Sequence, residues 1–314
     1  MKALLTDICP LSTHDGPGLR TTVFFKGCPL RCIWCHNPET QQVFPETGWD
    51  RSKCIGCKSC EAACPHQAID LHRAFPVDKT VCKNCGECVK GCPSSALFTM
   101  GKTWSVDELY NQLLKDEIFI KRSNGGVTFS GGEPAMQYRF IEALAIKLKR
   151  KKFHLALDTC GMAPKTAFKT VLPYMDLVLF DLKEMDERKH YGFTGVKNGQ
   201  ILKTLIFIHQ NFPFLKIWIR TPVIPGMTGT EENIRSIGKF ITANLSGQVE
   251  KWELCAFNNL CAAKYDRLGL TWSLRDTALL NRRQADQLLQ EASLAACRAC
   301  AVSFSGLTLP CPLT

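Results

Sequence analysis

The chain has 314 residues and a mass of 35.1 kDa, room for one large core with an insert rather than several independent domains. Its formal charge of +10 is dispersed apart from the basic run at residues 147–152, without the interleaved aromatic and basic residues of a strand-binding groove, so no nucleic-acid partner is expected. No apolar run approaches the ~18 residues of a membrane helix. The start, Met1-Lys2-Ala3-Leu4-Leu5-Thr6-Asp7, meets an acid too early for a signal peptide, and 18 cysteines then point to a cytoplasmic metalloprotein in place of a secreted disulfide scaffold.

From the amino terminus, residues 4–9 and 21–26 read as short strands around the turn Asp15-Gly16-Pro17-Gly18. Directly after the second comes Gly27-Cys28-Pro29-Leu30-Arg31-Cys32-Ile33-Trp34-Cys35-His36. Three sulfurs can hold a cubane [4Fe-4S] cluster and leave one iron open, whereas a cluster that only carries electrons normally has four protein ligands. Cys9 is the thiol that could close the site.

Polar sequence over residues 40–53 leads into a cysteine-dense insert, residues 51–100, with an internal repeat: Cys54-x2-Cys57-x2-Cys60-x3-Cys64-Pro65, then Cys82-x2-Cys85-x2-Cys88-x3-Cys92-Pro93. Paired Cys-x2-Cys motifs also suit structural zinc. Two complete runs, each closed by Cys-Pro, select iron and sulfur. In two-cluster ferredoxins the fourth cysteine of each run serves the other run's cluster, which assigns Cys54, Cys57, Cys60 and Cys92 to one cubane and Cys82, Cys85, Cys88 and Cys64 to the other. Electron relay and a structural or docking role are both open to them.

Beyond the insert, strands and helices alternate. Helices are expected over residues 105–118, with Ser105 and Glu108 as a capping pair, and over 138–151, 165–172, 199–210, 231–245 and 281–297. Strands are expected over 126–130, 154–158, 177–182, 216–221 and 248–254. Strands separated by helices predict an α/β fold with a parallel sheet, its functional residues at the C-terminal strand ends. The domains are then residues 1–50 with 101–314, and 51–100.

The Cys-x3-Cys-x2-Cys loop in this setting resembles the radical S-adenosylmethionine superfamily. With Asp15-Gly16-Pro17-Gly18-Leu19-Arg20-Thr21, Trp34-Cys35-His36-Asn37-Pro38-Glu39 and the two ferredoxin runs, the chain is similar to the activating enzymes of glycyl radical enzymes, in the subgroup with an extra two-cluster insert. The likeness extends from residue 1 to about 270, leaving an atypical tail. It implies a partial (β/α)6 barrel, three [4Fe-4S] clusters, S-adenosylmethionine as cosubstrate and a monovalent cation. The implied activity is reductive cleavage of S-adenosylmethionine to methionine and a 5′-deoxyadenosyl radical, which removes a hydrogen atom from a backbone glycine of a glycyl radical enzyme. A flavodoxin or ferredoxin-type protein would be the reductant.

The resemblance also implies roles, position by position. Trp34 and His36 line the cofactor. Gly131, Gly132 and Glu133 receive the methionine amino group. Asp158 and Thr159 lie near the methionine carboxylate and the cation. Asp181 faces cation or ribose, Lys183 the cofactor carboxylate with Leu182 between them, and Arg220 matches a family arginine. Asp15 belongs to the loop that meets the partner's glycine loop. Asn258 stands where the family has a histidine, and Asn cannot carry a proton's charge near pH 7, so a positional role is expected there. Cys160 reads as packing, and Cys297, Cys300 and Cys311 read as idle or buried thiols, with metal binding beside Cys255 or Cys261 as the alternative. Two other functions are weighed: a radical enzyme with a different protein or small-molecule substrate, and a ferredoxin-like electron carrier without catalysis. The insert directly behind the triad and the Asp15 turn favour activation.

Overall fold

The structure, a computed structural model, describes residues 1–245, 247–296 and 300–309. In chain order, β1 (Lys2–Ser12) and β2 (Arg20–Phe25) precede β3 (Glu46–Trp49), α1 (Ser59–Ala63), α2 (Glu87–Lys90), β4 (Leu97–Met100) and β5 (Lys102–Ser105). Next come α3 (Val106–Leu114), α4 (Glu117–Arg122), β6 (Gly126–Gly131), α5 (Tyr138–Arg150), β7 (His154–Thr159), α6 (Lys165–Val171), β8 (Leu177–Asp181) and α7 (Glu187–Thr194). The chain continues with α8 (Gly199–Asn211), β9 (Lys216–Val223), α9 (Glu231–Asn244), β10 (Val249–Ala256), α10 (Ala262–Arg267), α11 (Arg282–Ala295) and β11 (Ala301–Ser305).

Nine strands form one sheet in the order β11-β10-β9-β8-β7-β6-β2-β1-β5. Strands β2 and β6 to β11 are mutually parallel, and β1 turns the direction. Alternation along each strand separates two environments. Leu155, Leu157, Val178, Phe180, Ile217 and Ile219 are buried in the main core with the helices, while Ala156, Leu177, Leu179 and Trp218 form a small cluster on the opposite face. Helix α5 meets the main core through Phe140, Ile141, Leu144, Ala145 and Leu148, the spacing of one helical stripe. Among the described residues no helix is long and apolar enough to cross a membrane.

Several elements depart from the sequence expectation. The helix expected over residues 105–118 begins as predicted, with the Ser105–Glu108 capping box formed, but it breaks into α3 and α4. Asp116 at the break accepts the Thr21 hydroxyl of β2 at 2.8 Å, a bond that a straight helix would forgo. The tail forms structure: α11 packs on α9 so closely that a Cβ on Gly238 would lie 2.4 Å from that of Ala295. Strand β11 then adds a seventh parallel strand to the six expected.

Fully buried Arg20 locks the first parallel pair. Its guanidinium donates to Thr128 Oγ1 at 2.6 Å, the Val127 carbonyl at 2.9 Å and the Pro17 carbonyl at 3.1 Å. Replacement by Met strands these acceptors, each buried unpaired group costing on the order of 1–3 kcal/mol. Arg20→Met should therefore lower the unfolding free energy by about 3 kcal/mol, read from urea denaturation.

Candidate active site

The C-terminal ends of the parallel strands open into a cavity of about 430 Å³. Cys28, Cys32 and Cys35 all lie on its wall, with Trp34 and His36 between and beside them. Cys9 is exposed and does not line it. The triad loop hangs on backbone bonds: Gly27 N–H to the Thr40 carbonyl at 2.6 Å, Arg31 N–H to Thr194 at 2.7 Å and Ile33 N–H to Phe193 at 3.0 Å. Side chains from the α10 region close it, with Tyr265 Oη donating to the Cys35 carbonyl at 2.8 Å and Trp272 Nε1 to that of Ile33 at 2.9 Å. Burial pushes the Cys32 thiol up to about 12, with Cys35, Cys28 and Asp181 adding to the effect of burial and Lys183 opposing it. Burial raises Cys35 as well, whereas a hydrogen bond from Cys160 lowers Cys28, and three thiolates so close together call for a cationic core. The donor set therefore fits an iron–sulfur cluster.

Strand alternation turns Ser130, Asp158, Asp181, Arg220, Cys255 and Ser305 into the same cavity. Asp158 accepts from Ser130 Oγ at 2.6 Å and from Arg220 Nη1 at 3.3 Å. Burial pushes its carboxyl up to about 6 against the pull of Arg220. Asp181 pairs with Lys183 at 2.5 Å. Burial opposes the Lys183 ammonium, yet Asp181 and the thiols of Cys32 and Cys160 outweigh it and hold its pKa above the usual range. Asp15 accepts the hydroxyls of Ser12 and Thr22, both at 2.7 Å, and sits 4.0 Å from Arg220 Nη1. The cavity thus brings soft sulfur ligands and both signs of charge together.

Not every expected residue reaches the cavity. Glu133 is 1% exposed, and its carboxylate is spent inside the protein. Its oxygens accept the Thr159 hydroxyl at 2.8 and 2.7 Å, the Cys160 N–H at 2.9 Å, the Cys160 thiol at 3.0 Å and the Ala135 N–H at 3.0 Å. Thr159 is consumed by the same knot and Leu182 lies in the main core. Gly131 and Gly132 do line the cavity, but their lack of side chains answers first to packing. A Cβ on Gly132 would lie 2.2 Å from the Gly27 carbonyl oxygen, and one on Gly131 would lie 2.5 Å from backbone atoms of Phe25. Asn258 is on the wall, with Oδ1 accepting the Leu260 N–H at 3.2 Å, a positional bond.

Sequence reasoning missed Ser130 and Ser305, and it named Cys160 and Cys255 without placing them on this cavity. A place at or just past an expected strand end, residues 130 and 254, was a usable signal for Ser130 and Cys255. Cys160 is more than packing: its contact with Cys28, then burial, push its thiol well above the ordinary range. Ser305 depends on β11, which the pattern did not reveal. Cys300 is buried; Cys297 and Cys311 lie outside the described residues.

A family profile described as "4Fe-4S single cluster domain" matches residues 14–202. The isethionate sulfite-lyase activating enzyme of Oleidesulfovibrio alaskensis is 43% identical over 81% of this chain and 83% of its own. The indoleacetate decarboxylase activating enzyme of Tractidigestivibacter scatoligenes is 37% identical over 87% and 89%. This chain belongs to the glycyl-radical-enzyme activating enzymes. The activating enzyme also shares a fold with Streptococcus suis SuiB in complex with its precursor peptide SuiA, at a TM-score of 0.53 over 92% of this chain and 49% of that one, with 14% identity.

In this activating enzyme the insert hangs between β3 and β4, which pair from Glu46 with Met100 to Trp49 with Leu97. Its two cysteine runs share backbone geometry. Left-handed residues recur at matching positions, Gly56 with Asn84, Lys58 with Gly86 and Gln67 with Ser95. Cys54, Cys57, Cys60 and Cys92 line one small cavity together. Cys88 is pushed up to about 11 by burial first, then by Cys82, Cys64 and Cys85. Among the described residues no three His, Cys, Asp or Glu side chains converge on a single metal-ion position.

Glu133→Ala leaves the donors of Thr159, Cys160 and Ala135 unpaired in the core and should cost about 3 kcal/mol or more. Glu133→Gln keeps the shape and part of the bonding and should cost less than half as much. Urea midpoints of the two variants check the order.

Proposed function

We propose that this protein activates a partner glycyl radical enzyme, with S-adenosylmethionine as cosubstrate and Cys28, Cys32 and Cys35 holding a [4Fe-4S] cluster that keeps one iron open. The observation that carries the reading is the grouping of Cys28, Cys32 and Cys35 from one loop on the wall of a cavity that also bears Asp158, Asp181, Lys183 and Arg220, while the other two cysteines on that wall are engaged elsewhere, Cys160 with Glu133 and Cys255 beside Arg220. When bound, the cluster supplies the electron that cleaves the sulfonium into methionine and a 5′-deoxyadenosyl radical, and this radical takes a hydrogen atom from the partner's backbone glycine. The activities printed for the relatives support the class, and a partial (β/α)6 barrel extended by β11 is the scaffold.

The chain's own residues hold and shield. Lys183, charged at all working pH by Asp181, suits the cofactor carboxylate. Gly131 and Gly132 expose backbone polar groups to its amine, while Glu133 keeps that turn rigid from behind instead of touching the ligand. Asp158 and Arg220 face the remaining polar groups, with Asp158 and Asp181 as candidates for a monovalent cation. His36, held below its usual pKa by burial, packs as a neutral ring against Phe257, centroids 6.4 Å apart. Asn258 positions without proton transfer. Asp15 and the cavity mouth meet the partner's loop, and enclosure limits water and stray hydrogen donors until then.

The insert would hold two further [4Fe-4S] clusters, on Cys54, Cys57, Cys60 and Cys92 and on Cys64, Cys82, Cys85 and Cys88. The cavity shared by the first set and the mutual charge effects within the second support this crossed assignment. Both clusters suit electron relay from a flavodoxin or ferredoxin-type reductant.

Cys32→Ala should abolish 5′-deoxyadenosine formation by the reduced, iron-reconstituted protein while about two thirds of the iron remains. Chromatography of the nucleoside beside iron and sulfide analysis measures both; retained cleavage overturns the open-iron assignment. With a candidate partner added, the wild type should generate a glycyl radical doublet in electron paramagnetic resonance and the variant none.

A further inference from the structure

We infer that the indole N–H of Trp49 donates a hydrogen bond to a sulfur of the cluster held by Cys54, Cys57, Cys60 and Cys92, and makes that cluster the more easily reduced of the two in the insert. This rests on the proposed ligand assignment for the insert.

Trp49 lines the same small cavity as those four cysteines. Its Nε1 is buried without a hydrogen-bond partner, the one such N–H among the described side chains. Indole can only donate, and a donor withdrawn from water without an acceptor is a standing penalty that native proteins avoid. The rest of the wall offers few alternatives. Ile55, Leu71, Ala96 and Leu97 present apolar side chains, the Lys58 ammonium can only donate, and the Ser94 hydroxyl is engaged with Cys92 Sγ at 3.8 Å. A sulfur in the cavity is the acceptor that remains.

The ring is held in place to make this bond. Trp49 ends β3 opposite Leu97 of β4, and its ring meets the edge of Phe75 at 6.3 Å. Leu97 N–H points to Cys92 Sγ at 3.5 Å, so the register that sets Trp49 also sets a backbone donor to the same site. The second set has backbone donors of this kind, Ala68 N–H to Cys64 at 3.3 Å and Asn84 N–H to Cys82 at 3.4 Å. The indole is therefore an addition on one side only. Reduction adds negative charge to a cluster, and donors to its sulfurs favour the reduced state and raise the potential. Two runs of equal sequence spacing thus become unequal in potential through a residue outside both.

The test is a redox titration of the fully loaded protein followed by electron paramagnetic resonance, in wild type and Trp49→Phe, which keeps a ring and removes the donor. One insert signal should move to lower potential, its reduced-to-oxidised ratio at a fixed ambient potential falling severalfold, with the other insert cluster and the triad cluster unmoved. Wild-type protein grown with indole-15N tryptophan should show a 15N coupling to that reduced cluster in pulsed resonance, and this reading decides alone if Trp49→Phe loads poorly. Full iron content with unmoved potentials, an equal shift of both insert clusters, or no 15N coupling overturns the inference. Wild-type iron and sulfide analysis showing no clusters on the insert cysteines overturns the ligand assignment itself.

Discussion

Where a side chain on Gly132 would begin, the carbonyl of Gly27 already stands, and the seam between these two glycines ties the reactive loop to the sheet. Glu133 N–H donates to the Gly27 carbonyl at 2.8 Å and Gly132 N–H to that of Phe25 at 2.9 Å. The end of β6 and the start of the triad loop are thus one hydrogen-bonded unit. Behind the seam the Glu133 carboxylate gathers Thr159, Cys160 and Ala135, so the ends of β6 and β7 cannot shift apart without exposing buried donors. The position of the three cysteines relative to the strand-end charges follows from this contact.

The cavity itself is a balance of unfavourable burials. Asp158, Asp181, Lys183 and Arg220 are each expensive to desolvate alone. Arranged as Asp158 with Arg220 and Asp181 with Lys183, they are neutral in sum and still present both signs to a ligand. Burial raises the thiols of Cys32 and Cys35, a cost that a cationic core would offset, while a hydrogen bond from Cys160 lowers that of Cys28. A zwitterionic amino-acid end group and a cubane are complementary to these two halves, and strand alternation keeps both apart from the apolar layer under the helices.

Much of this was legible before folding. The spacing of Cys28, Cys32 and Cys35, the two insert runs, the Ser105 cap and the charged Asp158, Asp181 and Arg220 toward the C-terminal halves of their strands are local patterns, and local sequence carries them. The inward turn of Glu133 is not such a pattern, because a motif next to a cavity looks the same whether its acid points in or back. Cys160 was undervalued because its contact with Cys28 joins residues far apart in the chain. The break between α3 and α4 accompanies a long-range bond from Thr21 to Asp116, which no helical period reports. Strand β11 was invisible because a short strand at a sheet edge gains its stability from β10, not from its own pattern.

Sequence by itself determined the chemistry: which sulfurs are grouped, that one group lacks a fourth member, and that parallel strands would deliver charges to a common end. These are statements about residue type and spacing, which the chain carries wherever it lies. Only the tertiary structure decided which acid lines the cavity and which is spent holding it, which cysteines share a pocket across the insert repeat, and that Trp49 stands in one of those pockets with its N–H unspent. Such facts depend on distances between segments remote in sequence, and those distances exist only once the sheet has set its register.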